Sequence, residues 1–327
     1  MNSRPFGASD RKVSEVGLGT WQLGGDWGQI SDESALSILR AAYDDGTDLL
    51  DTADVYGAGR SELLIGRFLK ETKAPIFVAT KLGRFSPPGW PGNFERAGVR
   101  EHTEASLKRL GVEALDLTQL HCVPTDVLRR GDIFEHLREL QREGKIRAFG
   151  ASVESVEEGE ICLEQEGVAS LQIIFSLLRQ KALDRLLPLA KEKQVSILVR
   201  LPLASGLLGG KMTKQTTFAP QDHRTYNRNG EKFNVGETFS GLPFEKGVEL
   251  ADALKAYIPA GLTLPQLALR WCLDQEAVTA IIPGATTAAQ AKANAAVSAL
   301  PPLPKGLHAQ LADFYKLYVA PNIRGPV

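Results

Sequence analysis

Cysteine is scarce: Cys122, Cys162 and Cys272 are the three in 327 residues, scattered and odd in number. They form neither a metal-binding spacing nor a disulfide framework, which suits a reducing cytoplasm. Histidine is sparse too, with five residues spread mostly over expected helices and one long loop. No cluster of His and carboxylates therefore suggests a metal-dependent barrel hydrolase, and no metal site is expected. Net charge is almost absent, since 38 basic against 39 acidic side chains leave −1. That removes the electrostatic case for nucleic acid or an anionic membrane surface. No apolar run approaches the ~18 residues needed to cross a bilayer. The opening Met1-Asn2-Ser3-Arg4-Pro5-Phe6-Gly7 has no signal-peptide apolar core. The expectation is a soluble cytoplasmic protein acting on small molecules.

What is present is a repeating strand–helix rhythm. Apolar runs begin near Val16, Leu49, Ile76, Leu115, Ile146, Leu171, Ser196 and Ala280. They are continuous rather than alternating, as in strands buried on both faces. Helical spacing follows each, over 63–70, 102–110, 133–143, 156–166, 183–193, 264–274 and 288–297, with Gly111 and Gly144 as helix stops. An earlier helix is capped by Ser31-Asp32-Glu33 and carries Ala35, Leu36, Ile38, Leu39, Ala42 and Tyr43 on one stripe. Eight such units predict a (β/α)8 TIM barrel in one domain, residues 1–327, preceded by a short N-terminal β-hairpin over 4–13. A doubly wound sheet is the runner-up, but no Gly-x-Gly-x-x-Gly follows an early strand. Two loops break the rhythm. Residues 82–99 hold Phe85, Pro87, Pro88, Trp90, Pro91 and Phe94 and predict a stiff aromatic loop at the barrel mouth. Residues 209–243 are long and polar, as functional lids or unstructured segments are.

The chemistry centres on Asp51-Thr52-Ala53-Asp54-Val55-Tyr56-Gly57, a strand end running into a Gly-containing loop. A tyrosine has a pKa of roughly 10, so proton chemistry near neutrality needs a neighbouring cation and little water. Lys81 ends the strand Phe77-Val78-Ala79-Thr80 and His121 ends Leu117-Thr118-Gln119-Leu120. Asp51, Lys81 and His121 thus close three otherwise apolar strands and share one rim with Tyr56. A buried lysine is costly unless paired, and Asp51 is its obvious partner.

Together with Gly17-Leu18-Gly19-Thr20-Trp21, Gly144-Lys145-Ile146-Arg147, Pro202-Leu203-Ala204-Ser205-Gly206-Leu207-Leu208 and Ile282-Pro283-Gly284, these motifs resemble the aldo-keto reductase superfamily over nearly the full chain. The resemblance implies an oxidoreductase that binds a nicotinamide dinucleotide without a Rossmann fold. It maps a catalytic tetrad onto Asp51, Tyr56, Lys81 and His121. Tyr56 becomes the general acid, its pKa depressed by Lys81; Asp51 holds Lys81 charged, and His121 positions the carbonyl. Cofactor contacts carried over are Gly19, Thr20 and Trp21, with Asp51, at the nicotinamide, Ser152 and Gln172 at its carboxamide, and Arg200 where relatives stack an aromatic. Leu203, Ser205, Gly206 and Leu208, helped by Lys211, would cover the pyrophosphate. Gly284, Thr286, Gln290 and Asn294 would meet the adenosine 2′-phosphate and adenine.

The family implies NADPH over NADH, yet an Arg or Lys common in relatives near Thr286 is missing, leaving Lys292 as its substitute and NAD as the alternative. Trp21, Tyr56, Phe85, Trp90 and His121 would line an aromatic substrate pocket suited to small aldehydes or ketones. The implied function is an NADPH-dependent carbonyl reductase working reversibly. A sugar or polyol dehydrogenase, or a cofactor-sensing regulatory subunit like the potassium-channel β subunits, are the alternatives. Physiological substrate and oligomeric state stay open.

Overall fold

The computed structural model describes residues 1–25, 27–28, 30–73 and 75–327. Strands β1 (Ser3–Pro5) and β2 (Lys12–Ser14) pair antiparallel, forming the expected hairpin. Eight parallel strands follow: β3 (Leu18–Gly19), β4 (Leu49–Asp51), β5 (Phe77–Leu82), β6 (Leu115–His121), β7 (Ile146–Ser152), β8 (Val168–Ile174), β9 (Ser196–Arg200) and β10 (Val278–Ile281). Each pairs with its sequence neighbour in order from β3 to β10. The ring closes between first and last through Val16–Ile281 and Gly19–Gly284 bridges, with Gly19 donating to Pro283 O at 3.1 Å. A Cβ on Gly19 would sit 2.7 Å from Ile282 O, so the closing seam requires glycine there. The fold is a (β/α)8 barrel.

The helices are α1 (Trp21–Gly24), α2 (Asp32–Asp44), α3 (Arg60–Thr72), α4 (Arg96–Leu110), α5 (Thr125–Arg130), α6 (Asp132–Arg142) and α7 (Val156–Leu163). They continue with α8 (Leu186–Glu192), α9 (His223–Tyr226), α10 (Phe244–Leu254), α11 (Leu264–Leu273), α12 (Ala288–Ala295) and α13 (Lys305–Phe314). Ser31 caps α2 by accepting from Ser34 N–H, and Gly111 ends α4 at φ 67°, both as the sequence predicts. Helices α5, α10 and α13 lie outside the eight-unit rhythm and had no counterpart in it. Among the described residues, no helix is long and apolar enough to cross a membrane.

Side-chain alternation along the strands sets the site. Leu49, Phe77, Leu117, Leu198 and Ala280 form one apolar cluster inside the barrel, joined by Phe6 and Val13 of the hairpin segment. The rings of Phe6 and Phe77 lie 4.7 Å apart, so the hairpin plugs the bottom of the barrel. Two residues further along the same strands, on the same inward face, come Asp51, Gln119 and Arg200; four beyond Phe77 and Leu117 come Lys81 and His121. The interior therefore changes from apolar to polar on moving toward the carboxyl ends. The intervening residues Leu50, Val78, Leu82, Leu120 and Val199 point outward into the larger barrel–helix core. Each such aliphatic side chain contributes about 1.5–3 kcal/mol by burial, which is what lets the inner face carry charge.

Residues 209–243 are not an unstructured segment. Asp222 caps α9 through Arg224 N–H, and His223, Thr238 and Phe239 are completely buried. The His223 ring packs 4.6 Å from Trp21 and 4.4 Å from Trp27, which ties the segment to the loop after β3.

Candidate active site

Lys81 is 1% exposed and all three of its N–H directions are used. Its Nζ donates to Asp51 Oδ1 at 2.6 Å, to Thr52 O at 2.8 Å and to Tyr56 OH at 3.4 Å. Asp51 is held in turn by Gln172 Nε2 at 2.7 Å and Gln119 Nε2 at 3.4 Å. A buried ion pair is tolerated only when its remaining lone pairs are satisfied in this way. Because Tyr56 accepts from Lys81, the phenolic proton is left to be donated elsewhere. The His121 ring stands edge-on to Tyr56 at 5.8 Å between centroids, and Trp21 stacks on the other side at 6.0 Å.

The loop that delivers Tyr56 is pinned by its own backbone. Thr52 N–H donates to Ala79 O, Asp54 N–H to Lys81 O, and Thr20 Oγ to Asp51 O. Gly57, at φ 59°, packs against Gly24 so closely that a Cβ would lie 2.3 Å from Gly24 O. Both glycines are needed for the Tyr56 turn to approach α1.

Protonation follows from burial. Burial pushes the Tyr56 phenol well above its ordinary value, and the charges of Asp51 and Glu237 add to this; Arg200 works the other way. The expected depression by Lys81 is not what this structure shows. Burial also lowers Lys81, opposed by Asp51. His121 is driven well below the usual imidazole range by burial and by the cations Arg84, Lys81 and Arg200. It is therefore neutral near pH 7, and its Nδ1 has no hydrogen-bond partner among the described residues. A neutral imidazole can orient a carbonyl oxygen, whereas the proton itself is available from tyrosine.

A cavity of about 1520 Å³ runs from these groups to the far rim. Gly19, Trp21, Asp51, Tyr56, His121, Gln172, Arg200, Leu203, Ser205, Gly206, Lys211, Gly284, Thr286, Gln290 and Asn294 line it, as does Trp90. Five of the expected site residues do not. Lys81 lies behind the wall and reaches the cavity only through Tyr56 OH. Thr20 is buried behind the wall, its hydroxyl committed to Asp51 O and Ser61. Ser152 is likewise behind Gln172, within 3.3 Å of Gln172 Oε1. Leu208 is fully buried in the hydrophobic core. Phe85 faces α4, edge-on to His102 at 6.0 Å and under Arg109. The reason is Asn93, whose Nδ2 donates to Gly83 O and Phe85 O and curls the 82–99 loop back on itself. Trp90 donates Nε1–H to Gly83 O and stays 54% exposed.

Beside these aromatic side chains stands a charge network that the sequence reading missed. Arg84 donates to Glu154 and Glu237, each at 3.0 Å, Asn234 donates to Glu154, and Arg200 Nη1 lies 3.5 Å from Glu237. Arg84 and Arg200 hold the Glu237 carboxyl down to about 2 despite its burial. Cys122, Glu154 and Glu237 place ligand-type atoms within 4.8 Å of one another, but the carboxylates are engaged by these arginines. Trp27, Phe233 and Gln22 complete the wall. The local signal available was Glu237 itself, an acid in a segment with buried aromatics.

The cavity fits a dinucleotide: its lining holds a turn of backbone at Leu203–Gly206, Arg200 with an Nε that has no partner among the described residues, and Gln172 and Asp51 at the closed end. A closed barrel joining such a groove to a buried Asp–Lys–Tyr chain and a neutral histidine defines an NAD(P)-dependent oxidoreductase. The family model for "Aldo/keto reductase family" matches residues 15–316, and the chain belongs to that family. Aldo-keto reductase YhdN of Bacillus subtilis is 33% identical over 290 residues, 86% of this chain and 84% of that protein. The NADH-specific methylglyoxal reductase of Escherichia coli K12 is 31% identical over 317 residues, covering 90% and 93%. Among solved structures, the glycerol dehydrogenase AKR11B4 from Gluconobacter oxydans superposes with a TM-score of 0.79 at 31% identity, covering 99% and 98%.

Proposed function

We propose that the protein interconverts small aldehydes or ketones and their alcohols, with Tyr56 as the proton donor in the reducing direction. The observation that carries this reading is the triple use of Lys81, which occupies an acceptor site on the Tyr56 oxygen and leaves the phenol, a cavity-lining group, free to donate its proton. A bound nicotinamide supplies or takes the hydride. The chain's own residues do the rest. His121, neutral, donates a hydrogen bond to the carbonyl oxygen and fixes its position beside Tyr56. Charge developing on that oxygen is answered by the phenolic proton, while Lys81 stabilises the phenolate left behind. Asp51 keeps Lys81 charged and aimed. Gly19, Trp21, Gln172 and Arg200 would hold the nicotinamide end, Leu203, Ser205, Gly206 and Lys211 the pyrophosphate, and Gly284, Thr286, Gln290 and Asn294 the adenosine.

The polar wall of Arg84, Glu154, Asn234 and Glu237 favours hydroxylated carbonyls, or polyols in reverse, over purely apolar aldehydes. The relatives named a methylglyoxal reductase and a glycerol dehydrogenase support that substrate class. Resemblance alone favours NADPH; the charges at the adenosine end weigh the other way. The test is a panel of small hydroxyaldehydes, ketones and polyols with NADH and NADPH, run on wild type and Tyr56→Phe. Turnover that disappears in Tyr56→Phe while cofactor still binds is expected. Normal turnover in that variant removes Tyr56 from the mechanism.

A further inference from the structure

The adenosine end of the cavity is neutral where a phosphate would need cations. Its wall is made by Gly284, Ala285, Thr286, Gln290, Ala293 and Asn294, with no Lys or Arg among them. Thr286 gives both its N–H and its hydroxyl to Gln290 Oε1, at 2.8 and 2.9 Å, so this rim is a self-satisfied neutral turn. Lys292, the cation nearest in sequence, is exposed on the other side of α12. Gln290 and Asn294 are four residues apart and share the cavity face, whereas Lys292, two residues on from Gln290, lies about 200° around the helix.

A second observation adds charge of the wrong sign for a phosphate. Helix α2 packs on α12. Glu33, in the first turn of α2, lines a small hollow together with Thr286, Thr287 and Ala288. Arg60, which pairs with Asp32 beside Glu33, is already committed to Leu23 O, Ile30 O and the Asp32 carboxylate.

We infer that the chain selects NADH over NADPH, and that Thr286, Gln290 and Glu33 set the preference. This rests on the nicotinamide-dependent reaction proposed above. A 2′-phosphate carries about −1.5 to −2 charges at neutral pH and needs bidentate arginine or several cations to replace its water. Here it would meet two neutral side chains, with the Glu33 carboxylate in the hollow on the other flank of Thr286. A ribose 2′-hydroxyl has the opposite need, a neutral amide or a carboxylate that accepts its proton. Lys211 does not reverse the balance, because it follows the Leu203–Gly206 turn and serves the pyrophosphate, whose charge both dinucleotides share.

The test is fluorescence titration of wild type, Thr286→Arg and Glu33→Gln/Thr286→Arg with NADH and NADPH at two salt concentrations. Both substituted positions, Glu33 and Thr286, are exposed, so folding is not at stake. Wild type binds NADH at least about tenfold more tightly, a difference of ~1.4 kcal/mol. The two changes together move the ratio toward NADPH by about tenfold, and salt erodes the NADPH gain while sparing NADH. Tighter binding of NADPH by wild type, or a ratio unmoved in the double variant, overturns the inference even if carbonyl turnover is normal. Binding of neither dinucleotide overturns the reading beneath it and this inference with it.

Discussion

The two ends of one cavity are built on opposite principles. At the closed end, Asp51, Lys81, His121 and Gln172 are at most 5% exposed, and Asp51, Lys81 and Gln172 are locked to one another by hydrogen bonds. At the outer end, Thr286 and Gln290 are exposed and uncharged, their side chains bonded to each other. The comparison teaches where energy is concentrated. Charge inside the barrel is strong because water is excluded, so each group must be partnered and few changes are tolerated. Charge at the rim is screened, so selectivity there rests on which charges are present or missing and can be altered cheaply.

The sharpest way to break that contrast is Lys81→Met. It leaves Asp51 as an uncompensated buried charge, which costs about 3–5 kcal/mol of stability, read by chemical denaturation. It also reduces turnover by about a hundred- to ten-thousandfold. In Lys81→Met/Asp51→Asn the charge is gone, so stability largely returns while activity does not. Recovery of both together would make the pair structural rather than chemical.

Next in size is Glu237→Gln. It takes the counter-charge from Arg84 and Arg200 and loosens residues 209–243, at about 1.5–3 kcal/mol. Faster proteolysis within that segment is the readout. The same carboxylate gives a pH signature. Its folded pKa, about 2, lies below that of an unfolded glutamate, so its contribution is complete above roughly pH 4.3 and fades as pH falls toward 2. Wild type should progressively expose the segment as pH falls through that window, and Glu237→Gln should lack the dependence.

The smallest effect is expected at His102, which lies 3.5 Å from the buried Asp54 and contacts Pro87 O. Asp54 raises its pKa, against partial burial. The pair therefore stabilises the fold fully below about pH 6.5, and the benefit is lost as pH rises through the raised value. Thermal unfolding of wild type should soften on going to mildly alkaline pH, and His102→Gln should flatten that slope.

The closed end was legible in the sequence because its signal is local. An apolar strand that ends in Asp, Lys or His can do so only where the barrel interior opens, and period-two alternation then fixes the face. Tyr56 was legible for the same reason. Other features depend on partners far along the chain. Glu237 meets Arg84 across 153 positions, and nothing in either segment marks the other. Phe85 was placed in the pocket because the loop is aromatic, but Asn93 curls the loop and turns the ring to α4. Thr20, Ser152 and Leu208 sit on the right motifs, yet one layer behind the wall. The phenol's upward shift was missed because burial outweighs a neighbouring cation, and burial cannot be read from spacing.

The most direct measurement is single-turnover reduction by Tyr56→Phe beside wild type, at cofactor concentrations shown by fluorescence to saturate both. Removing the Tyr56 proton should slow the chemical step about a hundred- to ten-thousandfold with cofactor affinity unchanged. A single-turnover rate equal to that of wild type would contradict the assignment of the proton to Tyr56.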